Sequence, residues 1–404
     1  MTLPRIRRLQ LAGVLAAVTT AAALSAVTLP AHAAPPEGRI VGAGAPGAVG
    51  GSYIVTLKAG TGGIKAPSAA GRNLAATYGA EISHTYSTAL NGYAVKAGSG
   101  EAKRLAADPR VASVVQDTTV TLDHNQRNPP SWGLDRIDQE DLPLDASYTW
   151  PESAGAGVTA YVIDTGIRTS HQDFGGRASS GWDFVDDDAV AQDGNGHGTH
   201  VAATIAGTTY GVAKDADVVA VRVLDAQGSG TTAQVIAGID WVTRNAHRPA
   251  VANLSLGGFA NAQLDAAVRN SIASGVTYTI AAGNDAMPAS LYSPARVRQA
   301  ITVGATDRGD AQASFSNWGK RVDLYAPGVG ITSAWNTGDT ARNTISGTSM
   351  ASPHAAGAAA LYLADNAWAT PADVSKALKD KASRGRITGA GPGSPDLLLQ
   401  VNNP

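Results

Sequence analysis

The sequence predicts an α/β protein, a doubly wound and mostly parallel sheet preceded by a small α+β unit. Three observations carry this. Past residue 131, short continuous apolar runs recur at 158–163, 218–224, 251–256, 276–281 and 300–303. Unbroken apolarity, rather than alternation, is what a parallel strand covered on both faces requires. Segments of helical period lie between these runs, at 233–245 and 262–274, and strands alternating with helices give a wound parallel sheet. Finally, several runs end in polar residues, such as Asp164 after Ile163. In such sheets the ligand crevice opens at the carboxyl ends of the strands. Near the end of the chain, Thr370-Pro371-Ala372-Asp373 supplies an N-cap, a proline at the first helical position and a first-turn acid, which predicts a last helix.

Composition narrows the function. The 404 residues hold 31 Lys+Arg against 33 Asp+Glu, a net charge of −2, so no basic face for nucleic acid is expected. With 44% hydrophobic and only 16% charged residues, the chain cannot be a solvated disordered one. There is no cysteine, which excludes disulfides, thiolate metal sites and a cysteine nucleophile.

The amino-terminal segment 1–33 carries Arg5, Arg7 and Arg8, an Ala/Leu/Val-rich run over 9–29, and Ala31-His32-Ala33. This is the layout of an export signal with a small-residue cleavage site, and it predicts a secreted protein. A membrane anchor is the weaker reading, because Thr19, Thr20, Ser25 and Thr28 interrupt the run. Residues 34–51 are rich in Gly, Pro and Ala and read as a linker. The stretch 52–122 has strand-like 53–57, a helical 73–78, strand-like 93–95 after the Asn91-Gly92 turn, a helical 101–107 and a β-rich 111–120. The order β-α-β-β-α-β predicts a split βαβ, ferredoxin-like sandwich. Residues 123–131, DHNQRNPPS, break the pattern and read as an exposed, cuttable junction; 132–404 is the larger domain.

The chemistry collects at three places in the larger domain. Asp164-Thr165-Gly166 ends a strand, His197 sits between glycines in Asp193-Gly194-Asn195-Gly196-His197-Gly198-Thr199-His200, and Ser349 opens the buried helical stretch after Ser346-Gly347-Thr348. Amides and the positive dipole end at a helix start favour a developing oxyanion. A serine hydroxyl attacks only when a base takes its proton and a carboxylate orients that base. Asp164, His197 and Ser349 offer those roles in the order Asp…His…Ser. Asn284, in Ala281-Ala282-Gly283-Asn284-Asp285, closes a buried run where its amide can point into the crevice. His200 reads as a packed or capping histidine.

The motifs AYVIDTGI, DGNGHGTHVA, NLSLGG, AAGND and SGTSMASPH resemble those of the subtilisin family of serine proteases, peptidase family S8, and are most similar to its proteinase K branch. The resemblance covers about 130–400. The 52–122 unit is similar to that family's inhibitory I9-type prodomain through YIVTLK and LNGYAV. The resemblance implies a subtilisin-like fold and a secreted, broad-specificity serine endopeptidase, with Ser349 as nucleophile, His197 as general base then acid, and Asp164 orienting the imidazole. The Asn284 side chain and the Ser349 amide then form the oxyanion hole. Protein and peptide substrates are expected as extended strands between Gly228-Ser229-Gly230 and Ser255-Leu256-Gly257, since main-chain pairing tolerates many sequences. Ala281, Ala282 and Gly283 leave an open apolar first pocket. Relatives often place a tyrosine where this chain has Thr232, which affects a more distant subsite. A prodomain acting as intramolecular inhibitor is implied, with autocatalytic cleavage near 122–128, and a monomer with no membrane or nucleic-acid partner is expected.

The resemblance also implies a structural calcium held by the Asp323 carboxylate and the carbonyls of Arg298 and Ala300, and no organic cofactor. Asp186-Asp187-Asp188 reads as a solvated acidic loop. Three rivals are weighed. An α/β-hydrolase needs a histidine well downstream of its serine, whereas His354 stands only five residues beyond Ser349. A metallohydrolase built on His197 and His200 would be stopped by metal removal. A non-enzymatic binding protein would not need every catalytic position filled.

Overall fold

The computed structural model describes residues 36–45, 48–59, 64–119 and 124–401. The expected export signal lies outside them. The chain divides into two units between Val120 and Thr121.

The first unit holds β1 (Ile40–Val41), β2 (Ala48–Leu57), α1 (Ala69–Thr77), β3 (Glu81–Tyr86), β4 (Gly92–Lys96), α2 (Ser99–Ala106) and β5 (Val111–Thr118). Its sheet runs β1-β5-β2-β4-β3, with β2 antiparallel to both β4 and β5. Without β1 this is the β-α-β-β-α-β sandwich that the sequence predicts. Alternation decides the faces: Tyr53, Val55 and Leu57 point inward to meet Leu74 of α1 and Leu105 of α2. The 34–51 stretch is not simply a linker. Ile40 and Val41 pair with Val114 and Val115, and residues 48–51 belong to β2, because the open edge of β5 still offers backbone groups to satisfy.

The second unit begins with β6 (His124–Arg127), α3 (Trp132–Ile137) and β7 (Ser147–Trp150). The expected junction 123–131 is therefore partly ordered, since β6 pairs antiparallel with β7 from His124–Trp150 to Arg127–Ser147. The sheet follows with β8 (Thr159–Asp164), β9 (Ala178–Asp183), β10 (Asp217–Arg222), β11 (Ala250–Leu254), β13 (Thr277–Ala281), β15 (Ile301–Thr306), β16 (Leu324–Pro327), β19 (Ser383–Arg384) and β20 (Leu397–Leu398). Between these come two short ribbons, β12 (Gly258–Phe259) with β14 (Tyr292–Ser293) and β17 (Ile331–Ala334) with β18 (Arg342–Ile345). The main sheet has nine strands in the order β19-β20-β16-β15-β13-β11-β8-β10-β9. All its pairings are parallel except β19 with β20.

Helices cover both faces. On one lie α4 (His197–Ala206), α7 (Thr348–Asp365) and α8 (Pro371–Lys381); on the other, α5 (Thr232–Asn245) and α6 (Ala262–Ala273). The alanines and glycines of α7 permit close approach: a Cβ on Gly357 would lie 2.5 Å from Val212 Cβ. Thr370 caps α8 by accepting from the Asp373 amide, as its sequence predicts. The order of strands reverses around β8, with β10 on one side and β11 on the other, and beyond the carboxyl ends of such strands a crevice opens.

Candidate active site

Strand β8 delivers Asp164 at its last residue, fully buried. Asp164 Oδ1 accepts from the Thr165 amide at 2.8 Å and from His197 Nδ1 at 2.7 Å. That bond keeps a proton on Nδ1 and leaves Nε2 as the acceptor. His197 is the first residue of α4. Its place is set by Asp193, a residue the sequence reading passed over. Asp193 Oδ1 accepts from the Asn195 and Gly196 amides and from Thr165 Oγ1, while Oδ2 accepts from the Thr199 amide and hydroxyl. One buried carboxylate thus satisfies the open start of α4 and ties it to the Asp164 loop. Glycine is required beside the histidine, since a Cβ on Gly198 would lie 2.1 Å from the Gly166 carbonyl.

Burial pulls the His197 pKa down, but the charge and hydrogen bond of Asp164 outweigh it and hold the imidazole above its ordinary 6.5. His200 differs. It is fully buried, its Nε2 meets the Ile331 carbonyl at 3.0 Å, and burial drives its pKa down to about 3, so it is the packed histidine expected. Among the described residues, no group of three His, Cys, Asp or Glu side chains is arranged to hold a metal.

Ser349 is the second residue of α7. Its Oγ donates to the Ser255 carbonyl at 3.0 Å, and Ser255 Oγ donates to the Ser349 carbonyl at 2.8 Å. In this state the hydroxyl is turned toward Ser255, while Ser349 and His197 line one crevice of about 900 Å³. A χ1 rotation moves a serine hydroxyl between staggered positions at little cost, and catalytic hydrogen bonds are often loose without substrate. Behind Ser255, a buried polar chain runs from Ser352 and Thr279 through Asn253 to Ser255 Oγ. It fixes α7 against β11 and β13. The clue was a lone asparagine inside an apolar strand.

The Asn284 side chain is oriented by its carbonyl. Oδ1 accepts from the Thr348 amide at 2.8 Å and the Thr348 hydroxyl at 2.9 Å, which leaves Nδ2 free as a donor. A Cβ on Gly347 would sit 3.6 Å from the Ser349 amide and 3.7 Å from Asn284 Nδ2, in ordinary contact with both, so Gly347 lies beside both donors. Asn317 holds the loop from behind, donating to the Ala282 carbonyl and accepting from the Asp285 and Met287 amides. Gly283, at φ 104°, leaves no room for a side chain there, as a Cβ would meet Asn317 Nδ2 at 2.2 Å.

Gly228, Ser229 and Gly230 line the crevice together with Ser255, Leu256, Gly257, Gly283 and Thr232, so every expected substrate contact falls in one groove. The metal set lies elsewhere. Asp323 Oδ2 accepts from the Thr302 amide at 3.0 Å, and Oδ1 faces Lys379 Nζ at 3.4 Å. Burial raises its pKa above the ordinary 3.8, against the lowering pull of the Thr302 amide, Lys379 and Arg321. Arg298 and Ala300 belong to the loop that leads into β15, two residues short of Thr302 at its nearer end. Asp186, Asp187 and Asp188 are exposed, as expected of a solvated acidic loop; Asp186 pairs with Arg222, which also pairs with the buried Asp183 before the loop.

A wound parallel sheet with a serine at a helix start, a histidine held by a buried carboxylate and an amide donor across the groove defines a serine hydrolase of the α/β class. Residues 155–397 match the subtilase family and residues 52–123 the peptidase inhibitor I9 family, so the chain belongs to the subtilases and is a serine endopeptidase. It is 56% identical over 321 residues, 80% of this chain and 78% of the relative, to an extracellular serine proteinase of Thermus sp. (strain Rt41A). It is 44% identical over 382 residues, 90% of this chain and 93% of the relative, to a cuticle-degrading serine protease of Arthrobotrys oligospora. The crystal structure of a cold-adapted subtilisin-like serine proteinase is similar at 53% identity and a TM-score of 0.66, covering 68% of this chain and 98% of that one.

Proposed function

We propose that Ser349 is the nucleophile, His197 the base that takes its proton and later returns it to the leaving amine, and Asp164 the carboxylate that orients the imidazole and stabilises its charged form. The observation that carries this reading is the 2.7 Å bond from His197 Nδ1 to a fully buried Asp164 in the crevice that also holds Ser349. As Oγ attacks the substrate carbonyl, negative charge develops on its oxygen, and the Ser349 amide and Asn284 Nδ2 donate to it. Collapse releases the amine and leaves an acyl-enzyme, which water then cleaves by the reverse proton route. The substrate lies extended between 228–230 and 255–257. Asn284→Ala should lower kcat about 10²–10³-fold with KM nearly unchanged, as measured on a chromogenic peptide. A drop confined to KM would remove Asn284 from the oxyanion hole.

The protein is proposed to be a secreted monomer made as a precursor, with the first unit blocking the second until it is cut. The cut is proposed to fall within 122–128, toward its amino-terminal side because cutting inside β6 would break its pairing with β7. Asp323, with the carbonyls of Arg298 and Ala300, is proposed to hold a structural calcium in exchange for Lys379; a bound ion there would neutralise the buried carboxylate. Adding calcium to chelated wild type should then raise Tm by several degrees, since ligands that bind only the folded state stabilise it. In Asp323→Asn that part of the rise should vanish, and an undiminished rise would place the ion elsewhere.

A further inference from the structure

One large apolar side chain in the crevice has no role in the fold or in the triad. Phe259, on β12, is 83% exposed. Register sets it opposite Tyr292 on β14, and the two rings stack with centroids 5.6 Å apart at 23°. Tyr292 lines the crevice together with Asn284 and Asp285, so the platform beneath Phe259 belongs to the groove that also holds the oxyanion donor. Gly257 and Gly258 precede the ring without side chains, and a Cβ on Gly258 would meet nothing within 4 Å. Its approach is open, and Phe259 and Tyr292 line the same crevice as Ser349.

The register along this wall follows from Ser255, whose carbonyl touches Ser349 Oγ. The substrate residue whose carbonyl is attacked therefore lies opposite Ser255. An antiparallel substrate strand advances one residue for each residue of the wall, so Phe259, four positions beyond Ser255, faces the fifth residue before the scissile bond. We propose that Phe259, backed by Tyr292, is a specificity-determining residue that selects substrates with an aromatic side chain at that fifth position. This rests on the reading of Ser349 as nucleophile. A ring already held by stacking loses little freedom when covered, and aromatic pairs gain beyond the area they bury.

The test compares two peptides that differ only at the fifth residue before the cleaved bond, Phe against Gly, on the mature enzyme. Wild type should cleave the Phe peptide with kcat/KM about tenfold higher, equivalent to about 1.4 kcal/mol. Phe259→Ala should reduce that ratio to about twofold or less, and Phe259→Trp should keep it. Each ratio compares two peptides on one enzyme, so any loss of folded protein cancels. An unchanged ratio in Phe259→Ala, or a ratio near one in wild type, overturns the inference. Failure of folded wild type to cleave either peptide overturns the reading of Ser349 instead.

Discussion

Ser349→Ala is expected to leave kcat about 10⁶-fold lower, as removal of this serine does in subtilisin, and to leave the chain as one uncut precursor. The loss is this large because the step has no substitute. Without Oγ there is no acyl-enzyme, and His197 can only assist water. What remains is the contribution of the oxyanion donors and of substrate binding, both of which stay in place. Thr348 still fixes Asn284 through its amide and hydroxyl. Alanine also suits the second position of α7, and Ser349 Oγ donates to the Ser255 carbonyl at the surface of the crevice, so folding should survive. Two measurements check this: the size of the secreted chain on a gel, and labelling by a serine-directed acylating reagent. Normal maturation together with near-normal peptide hydrolysis would eliminate Ser349 as nucleophile.

The second large effect concerns Asp164. Asp164→Ala should cost about 10⁴-fold in kcat, and it should also move the acid limb of the pH profile down. In the native site the imidazole is held above 6.5 by the carboxylate against the opposing pull of burial. The base must be neutral to accept the serine proton. Wild-type kcat/KM should therefore fall about tenfold per unit as pH drops below that raised pKa. Without the carboxylate, burial prevails and the His197 pKa moves down. The residual activity of Asp164→Ala should then have its acid limb at lower pH than wild type. A variant whose acid limb stays in place, or moves up, would show that Asp164 does not set the charge state of His197.

Much of the architecture was legible because its signals are local. Continuous apolar runs marked β8, β10, β11, β13 and β15, and the Thr370 cap marked α8. Other strands were less visible. β9 and β16 have no long apolar run, β1 is only Ile40–Val41 inside a Gly/Pro/Ala-rich stretch, and β6 and β7 are four residues each, so their strand character comes from the backbone they meet. The site divides in the same way. Asp164, His197, Ser349 and Asn284 stood out by residue type next to glycines and at strand or helix ends. Asp193, Asn253 and Asn317 did not, because each acts through bonds to residues distant in the chain or to backbone amides.

The sequence by itself determined the alternation of the central strands with helices and the residue types proposed to react, since these depend on side-chain size and polarity along the chain. Tertiary structure alone decided that Oδ1 of Asn284 is taken by Thr348 so that Nδ2 faces the groove, that the Ser349 hydroxyl rests on Ser255, and that Phe259 stands uncovered above Tyr292. Each is a choice between donors, rotamers or neighbours of nearly equal local energy. Such choices are settled by which distant backbone and side-chain groups the folded sheet brings within hydrogen-bonding or stacking distance.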